Sequence, residues 1–128
     1  MNKEFVPYQP SVDLKELGFN MKTFAQYSTK IGDEWIISFN AYGEGQFTGN
    51  EGPCIAPTFS QAFRWFREKY KIHIVINLTI IDNWYFELYD LNDKRNAEIK
   101  TNENEFETYE EAELECLKKL IEIVKEKK

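Results

Sequence analysis

Histidine and thiol chemistry rests on three side chains in this 128-residue sequence. His73 is the single histidine, and Cys54 and Cys116 are the two thiols. An imidazole titrates near neutrality and can serve as a general base, but that role needs a nucleophile within hydrogen-bond reach, and no spacing in the chain pairs one with His73. A zinc site would have to combine Cys54, Cys116 and carboxylates without a second histidine or a Cys-x-x-Cys pair, so no metal and no cofactor is expected. Cys54 lies in a glycine-rich stretch just ahead of a helix start, a position that can stabilise a thiolate, and it is the candidate reactive thiol. Cys116 falls on an apolar helical stripe, where cysteine acts as a small hydrophobe. An enzyme built on Cys54 or His73 is therefore the weakest reading, and the residue types speak more for a non-enzyme.

A second constellation is aromatic and basic. Trp65, between Arg64 and Arg67, is expected off the main apolar face of its helix, with Tyr85 and Tyr89 on the polar side of a strand. Rings beside arginines concentrate binding energy in protein interfaces, and rings with cations also hold single-stranded nucleic acid. Covering a sheet edge would use the same rings without any partner. A formal charge of −6 and a pI near 4.9 weigh against nucleic acid, whose phosphates call for a basic surface. Capture of a host protein, or self-association, through Trp65, Arg64, Arg67, Tyr85 and Tyr89 is thus the leading expectation, and single-stranded nucleic-acid binding is the alternative.

The stretch from Cys54 to Tyr89 must position most of these groups. Thr58 and Gln61 have capping-box spacing and predict a helix from about Phe59 to Tyr70. Phe59, Ala62, Phe63, Phe66 and Tyr70 recur at three- and four-residue steps on its inner face. Ile72, Ile74, Ile76, Leu78 and Ile80 then alternate with His73, Val75, Asn77 and Thr79, placing five branched side chains on one side of a strand. His73 faces the other way. Asp82-Asn83 supplies a turn, and Trp84, Phe86 and Leu88 alternate with Tyr85, Glu87 and Tyr89 in a return strand.

Upstream, residues 1–10 read as an extended arm, Ser11 as the cap of a short helix through Leu17, and Gly18 as its left-handed stop. Thr23–Thr29 and Glu34–Asn40 form a second hairpin about an Ile31-Gly32-Asp33 turn. Residues 41–57 are a glycine-rich loop in which Gly43, Gly45 and Gly49 match neither a dinucleotide fingerprint nor a phosphate loop. Downstream, Leu91–Asn96 is a polar turn, Ala97–Thr101 a short edge strand, and Thr108 with Glu111 caps a helix from Tyr109 to about Glu126. Its early glutamates and late lysines follow the helix dipole, which explains the acidic run without a ligand. Two helix–hairpin units, 11–40 and 58–90, share a layout without shared residues.

Length predicts one domain over residues 1–128, and 42% hydrophobic with 16% aromatic residues suffices for a core without staples. The fold class expected is α+β: a two-layer domain with one antiparallel sheet of four to five strands from two hairpins, two main helices on one face and a short N-terminal helix. No apolar run approaches the roughly 18 residues that span a bilayer, and the opening residues show no secretory h-region, so a cytoplasmic location is expected. Cys54-Ile-Ala-Pro-Thr58, then Gln61-Ala62 and Trp65-Phe66-Arg67-Glu68-Lys69-Tyr70, with Leu17-Gly18-Phe19 upstream and Thr108-Tyr109-Glu110-Glu111-Ala112 downstream, resemble small uncharacterised proteins of gut anaerobic bacteria and their phages or prophages. The resemblance spans most of the chain and rests on caps and core aromatics. It implies a cytoplasmic protein of phage or mobile-element origin and carries over no catalytic residue.

Overall fold

The computed structural model describes residues 4–23, 25–39, 54–92, 98–101 and 105–127. In chain order these form α1 (Tyr8–Glu16), β1 (Ala25–Ile31), β2 (Glu34–Phe39), β3 (Cys54–Ile55), α2 (Phe59–Tyr70), β4 (Ile72–Leu78), β5 (Trp84–Asp90), β6 (Glu98–Thr101) and α3 (Tyr109–Lys127). The α+β class holds. The single sheet does not: the hairpins belong to two antiparallel sheets, ordered β2-β1-β3 and β4-β5-β6. The reason is that each hairpin finds its third strand from its own neighbourhood. Cys54 and Ile55, expected in the glycine-rich loop, pair with Tyr27 and Gln26 of β1, while β6 pairs with β5. Because β1 is central in one sheet and β5 in the other, the two helix–hairpin units do not share one strand order. Residues 41–53 of the glycine-rich loop lie outside the described residues, as do positions 24 and 40 of the first hairpin, 93–96 of the polar turn and 97 of the expected edge strand.

The helix ends follow from local chemistry. At the start of α2 the Gln61 N–H donates to Thr58 Oγ1 at 3.2 Å and the Thr58 N–H donates to Gln61 Oε1 at 3.0 Å, a closed capping box. Thr108 Oγ1 accepts the Glu111 N–H at 3.1 Å at the start of α3. At the end of α1 the N–H groups of Gly18 and Phe19 return to the carbonyls of Lys15 and Leu14, both at 3.0 Å, with Gly18 at φ 97°. These are the two bonds of a Schellman turn, which needs a residue tolerant of positive φ.

The N-terminal arm differs from expectation. α1 begins at Tyr8, behind Pro7, and Pro10 sits in the first turn, where an N–H would find no helical partner anyway. Ser11 is not a cap: it is buried, and its hydroxyl donates to the Val6 carbonyl at 3.1 Å. The same carbonyl accepts the Tyr27 hydroxyl at 2.6 Å, and the Val6 N–H donates to the Pro57 carbonyl at 2.8 Å. Phe5 also bridges Thr58. The described part of the arm is therefore stitched between α1, β1 and the start of α2.

The main core is built on the second sheet. Ile74 opposes Leu88 and Ile76 opposes Phe86 across the β4–β5 ladder, so their side chains share one face. That face, with Ile72, receives Phe59, Phe63 and Phe66 of α2 and Leu117, Leu120 and Val124 of α3, while Leu14 joins from α1. A smaller cluster of Ala25, Tyr27 and Ala56 lies at the first sheet, closed by Phe5, Tyr8, Trp35 and Ile37. Phe63→Ala is expected to lower unfolding free energy by about 3–5 kcal/mol, as large-to-small core changes do. A urea melt superimposing on that of the parent would show that this face of α2 is not core.

Candidate functional site

The five residues expected to make one aromatic and basic patch do not share a surface. Trp65 is only 4% exposed. Helical periodicity left it off the main stripe, but Phe19, delivered by the Schellman turn, folds over that side of α2 with its ring 5.5 Å from Trp65. Phe66 and Tyr70 meet the indole edge-on, and Lys69 Nζ stands 5.0 Å from its ring. Arg64 and Arg67 remain exposed, Arg64 Nε pairing with Glu68 Oε1 at 2.9 Å. Tyr85 and Tyr89 are half-buried on the face of the β4–β5 ladder opposite to the one that α2 and α3 cover. There Glu87 accepts from Asn77 Nδ2 at 3.2 Å and from the Tyr89 hydroxyl.

Nor do the reactive candidates meet. Cys54 is buried in β3, its thiol 3.3 Å from the Ile55 carbonyl, and burial pushes it up to about 11 despite Lys15, which pulls the other way. A strand rather than a loop surrounds it, which overturns its expected reactivity. Cys116 is a second free, buried thiol, raised further by burial with the Glu113 carboxylate adding to the effect. His73 is exposed on β4 opposite Tyr89, in the other sheet from Cys54. Among the described residues no three of His, Cys, Asp and Glu stand where one metal ion would be shared.

Two concavities offer surfaces that the sequence did not single out. One, of about 410 Å³, opens between the starts of α2 and α3, with Glu4, Ser60, Tyr109, Glu110 and Glu113 in its walls. Burial, then the neighbouring Glu110, push Glu113 up to about 7. A carboxyl titrating there is a usable acid, but the described walls provide no histidine, thiol or cation to act with it. The other, of about 420 Å³, is aromatic. Its rings are already engaged with one another, Tyr8 lying flat on Trp35 at 4.6 Å and edge-on to Tyr27 at 5.5 Å. The Tyr27 hydroxyl is held by Val6, and burial pushes it up to about 12.

The most distinctive surface is the tip of the β4–β5 hairpin. Leu78 is 53% exposed, Ile81 66% and Ile80 fully, at 102%. The alternation that counted Leu78 and Ile80 with the buried isoleucines overran the strand, which ends at Leu78. Thr79 then organises the turn: its Oγ1 accepts the Asn83 N–H at 3.1 Å and the Ile81 N–H at 3.4 Å, and its own N–H donates to the Asn83 carbonyl at 2.7 Å. Asp82 takes a left-handed φ of 63°. The turn is thereby held by its own hydrogen bonds, so the isoleucines are presented outward on a defined backbone. Behind it Trp84 exchanges two 2.8 Å backbone bonds with Phe106 and packs edge-on against Tyr109 at 5.2 Å. Two consecutive isoleucines directly before Asp-Asn were the available signal, since they break the period of two just where turn chemistry begins.

Comparison of the chain with protein-family models, with curated proteins and with solved structures found no match. Among the described residues no helix is long and apolar enough to cross a membrane.

Two measurements check this geometry. A thiol reagent at neutral pH is expected to modify Cys54 and Cys116 at least tenfold more slowly in the folded protein than in denaturant, as buried thiols with raised pKa values require. Rapid native-state labelling of Cys54 would contradict its place in β3. For Glu113, a folded pKa of about 7 lies above the ordinary carboxyl value, so the folded state holds the proton more tightly and the penalty for ionisation is fully present above pH 7. Glu113→Gln should therefore stabilise the protein by roughly 1 kcal/mol at pH 8, a figure discounted for partial solvent exposure, and be near neutral at pH 4. Equal effects at both pH values in thermal melts would remove the burial account of Glu113.

Proposed function

We propose that this chain is a small protein-interaction module whose contact point is the β4–β5 hairpin tip. The observation that carries the reading is the outward display of Leu78, Ile80 and Ile81 on a turn with its own hydrogen bonds. Singly exposed apolar residues are ordinary, but three large aliphatic side chains together on one ordered projection leave area in water that a partner would remove. Burying the two isoleucines is worth roughly 2–3 kcal/mol each, enough to anchor a contact whose rim adds selectivity. The interaction reading thus moves from Trp65, Arg64, Arg67, Tyr85 and Tyr89 to a different surface. The burial of Trp65 takes one ring from the single-stranded nucleic-acid reading, and the burial of Cys54 with its raised thiol pKa disfavours it as a nucleophile. A cytoplasmic setting and a phage or mobile-element origin belong to the same proposal, supported by the resemblance of the cap and core motifs.

The test is affinity capture from the native host with the full chain, run beside Ile80→Ser/Ile81→Ser. The double variant should melt within a few degrees of the parent, as surface changes do, while losing at least tenfold in affinity for the captured protein. A partner retained equally by both forms would place the interface elsewhere and defeat the proposal.

A further inference from the structure

Carboxylates stand in and beside the hairpin tip, and their placement says what kind of partner it fits. Asp82 sits in the turn itself, exposed. Glu105 is held beside it, its Oε2 accepting from Asn83 Nδ2 at 3.3 Å. The backbone exchange between Trp84 and Phe106 fixes Glu105 and Glu107 on either side of that bridge, and both are exposed. Tyr109, packed on Trp84, brings the first turn of α3 and the exposed Glu110 to the same end of the sheet. Among the described residues the ion pairs are Arg64–Glu68, Lys118–Glu115, Lys119–Glu122 and Lys125–Asp13, and none includes Asp82, Glu105, Glu107 or Glu110. The N-terminus of α3 offsets only about half an elementary charge, against four carboxylates that form no ion pair among the described residues.

Resting on the interaction reading above, we infer that the tip docks a basic amphipathic segment of another protein, its apolar face on Leu78, Ile80 and Ile81 and its lysines or arginines against Asp82, Glu105, Glu107 and Glu110. Charge complementarity selects this occupant over the others. A second copy of the chain meeting tip to tip would set like charges against like charges around the isoleucines. An anionic lipid surface would repel the same carboxylates. A basic segment gains on both counts, because the apolar contact excludes water and the surrounding charges speed and orient the encounter.

The experiment uses the full chain with its isoleucine methyls isotopically labelled, and three synthetic peptides of identical leucine spacing whose polar positions are all lysine, all glutamine or all glutamate. The lysine peptide should move the Ile80 and Ile81 methyl resonances and bind at least tenfold more tightly than the glutamine peptide at low salt. Raising the salt to 0.5 M, or Glu105→Gln/Glu107→Gln, should remove most of that advantage. Ile80→Ser/Ile81→Ser should weaken the lysine and glutamine peptides alike. If glutamine and lysine peptides bind the tip equally, the basic-partner inference is overturned while the interaction reading stands. If no peptide moves the Ile80 and Ile81 methyls, both fall. Zwitterionic vesicles moving those methyls where the lysine peptide does not would assign the tip to lipid and overturn the inference.

Discussion

The constraint on which the rest of the structure depends is the change from helix to strand at Lys71. This residue adopts φ 59° and ψ 36°, a left-handed conformation that costs a non-glycine residue roughly 1–2 kcal/mol. It is held from both sides: its N–H returns to the Arg67 carbonyl at 3.1 Å, and its carbonyl accepts the Leu91 N–H at 2.8 Å from just beyond β5. With one residue between Tyr70 and Ile72, the helix has no slack relative to the strand. The aromatic face of α2 must therefore close on the isoleucine face of β4, and the fully buried Phe66, Ile72 and Leu88 record that closure. α3 adds Leu117, Leu120 and Val124 to the same core.

The first sheet joins this unit through the cap of α2. Thr58 bridges Phe5, and Gln61, already engaged in the capping box, donates from Nε2 to the Lys22 carbonyl at 3.0 Å, at the approach to β1. Thr58 and Gln61 thus close the helix start and hold two further segments to it, the arm through the Thr58 backbone and the approach to the first hairpin through the Gln61 side chain. The cluster at the first sheet is small, and its closure relies on rings from the arm, chiefly Tyr8 upon Trp35. The two sheets consequently depend on different resources: one on a broad apolar interior, the other on hydrogen bonds converging on the Val6 carbonyl and a few stacked rings.

What was legible in the sequence was what is decided within a few residues. The caps at Thr58 and Thr108, the stop at Gly18 and the alternation through Phe86 and Leu88 all act over three or four positions, and the structure carries each of them. What was not legible depends on a distant partner. Trp65 is buried because Phe19 covers it, and Cys54 is in a strand because Tyr27 pairs with it. The pairing of hairpins into one sheet or two is likewise a long-range choice. Ile80 failed for the opposite reason: the local alternation was extrapolated past Leu78, where the Thr79 hydroxyl captures the backbone and ends the strand.

The carboxylates in and beside the hairpin tip have a colloidal consequence for the free protein. An uncovered pair of isoleucines on an ordered turn is the kind of feature that nucleates aggregation, because it offers apolar area at no folding cost. Exposed Asp82, Glu105 and Glu107, set in and beside that turn, are charges of the gatekeeper kind that oppose such association. The same charges set the conditions under which the protein can be stored and concentrated. Salt that screens them exposes a sticky knob on the same turn.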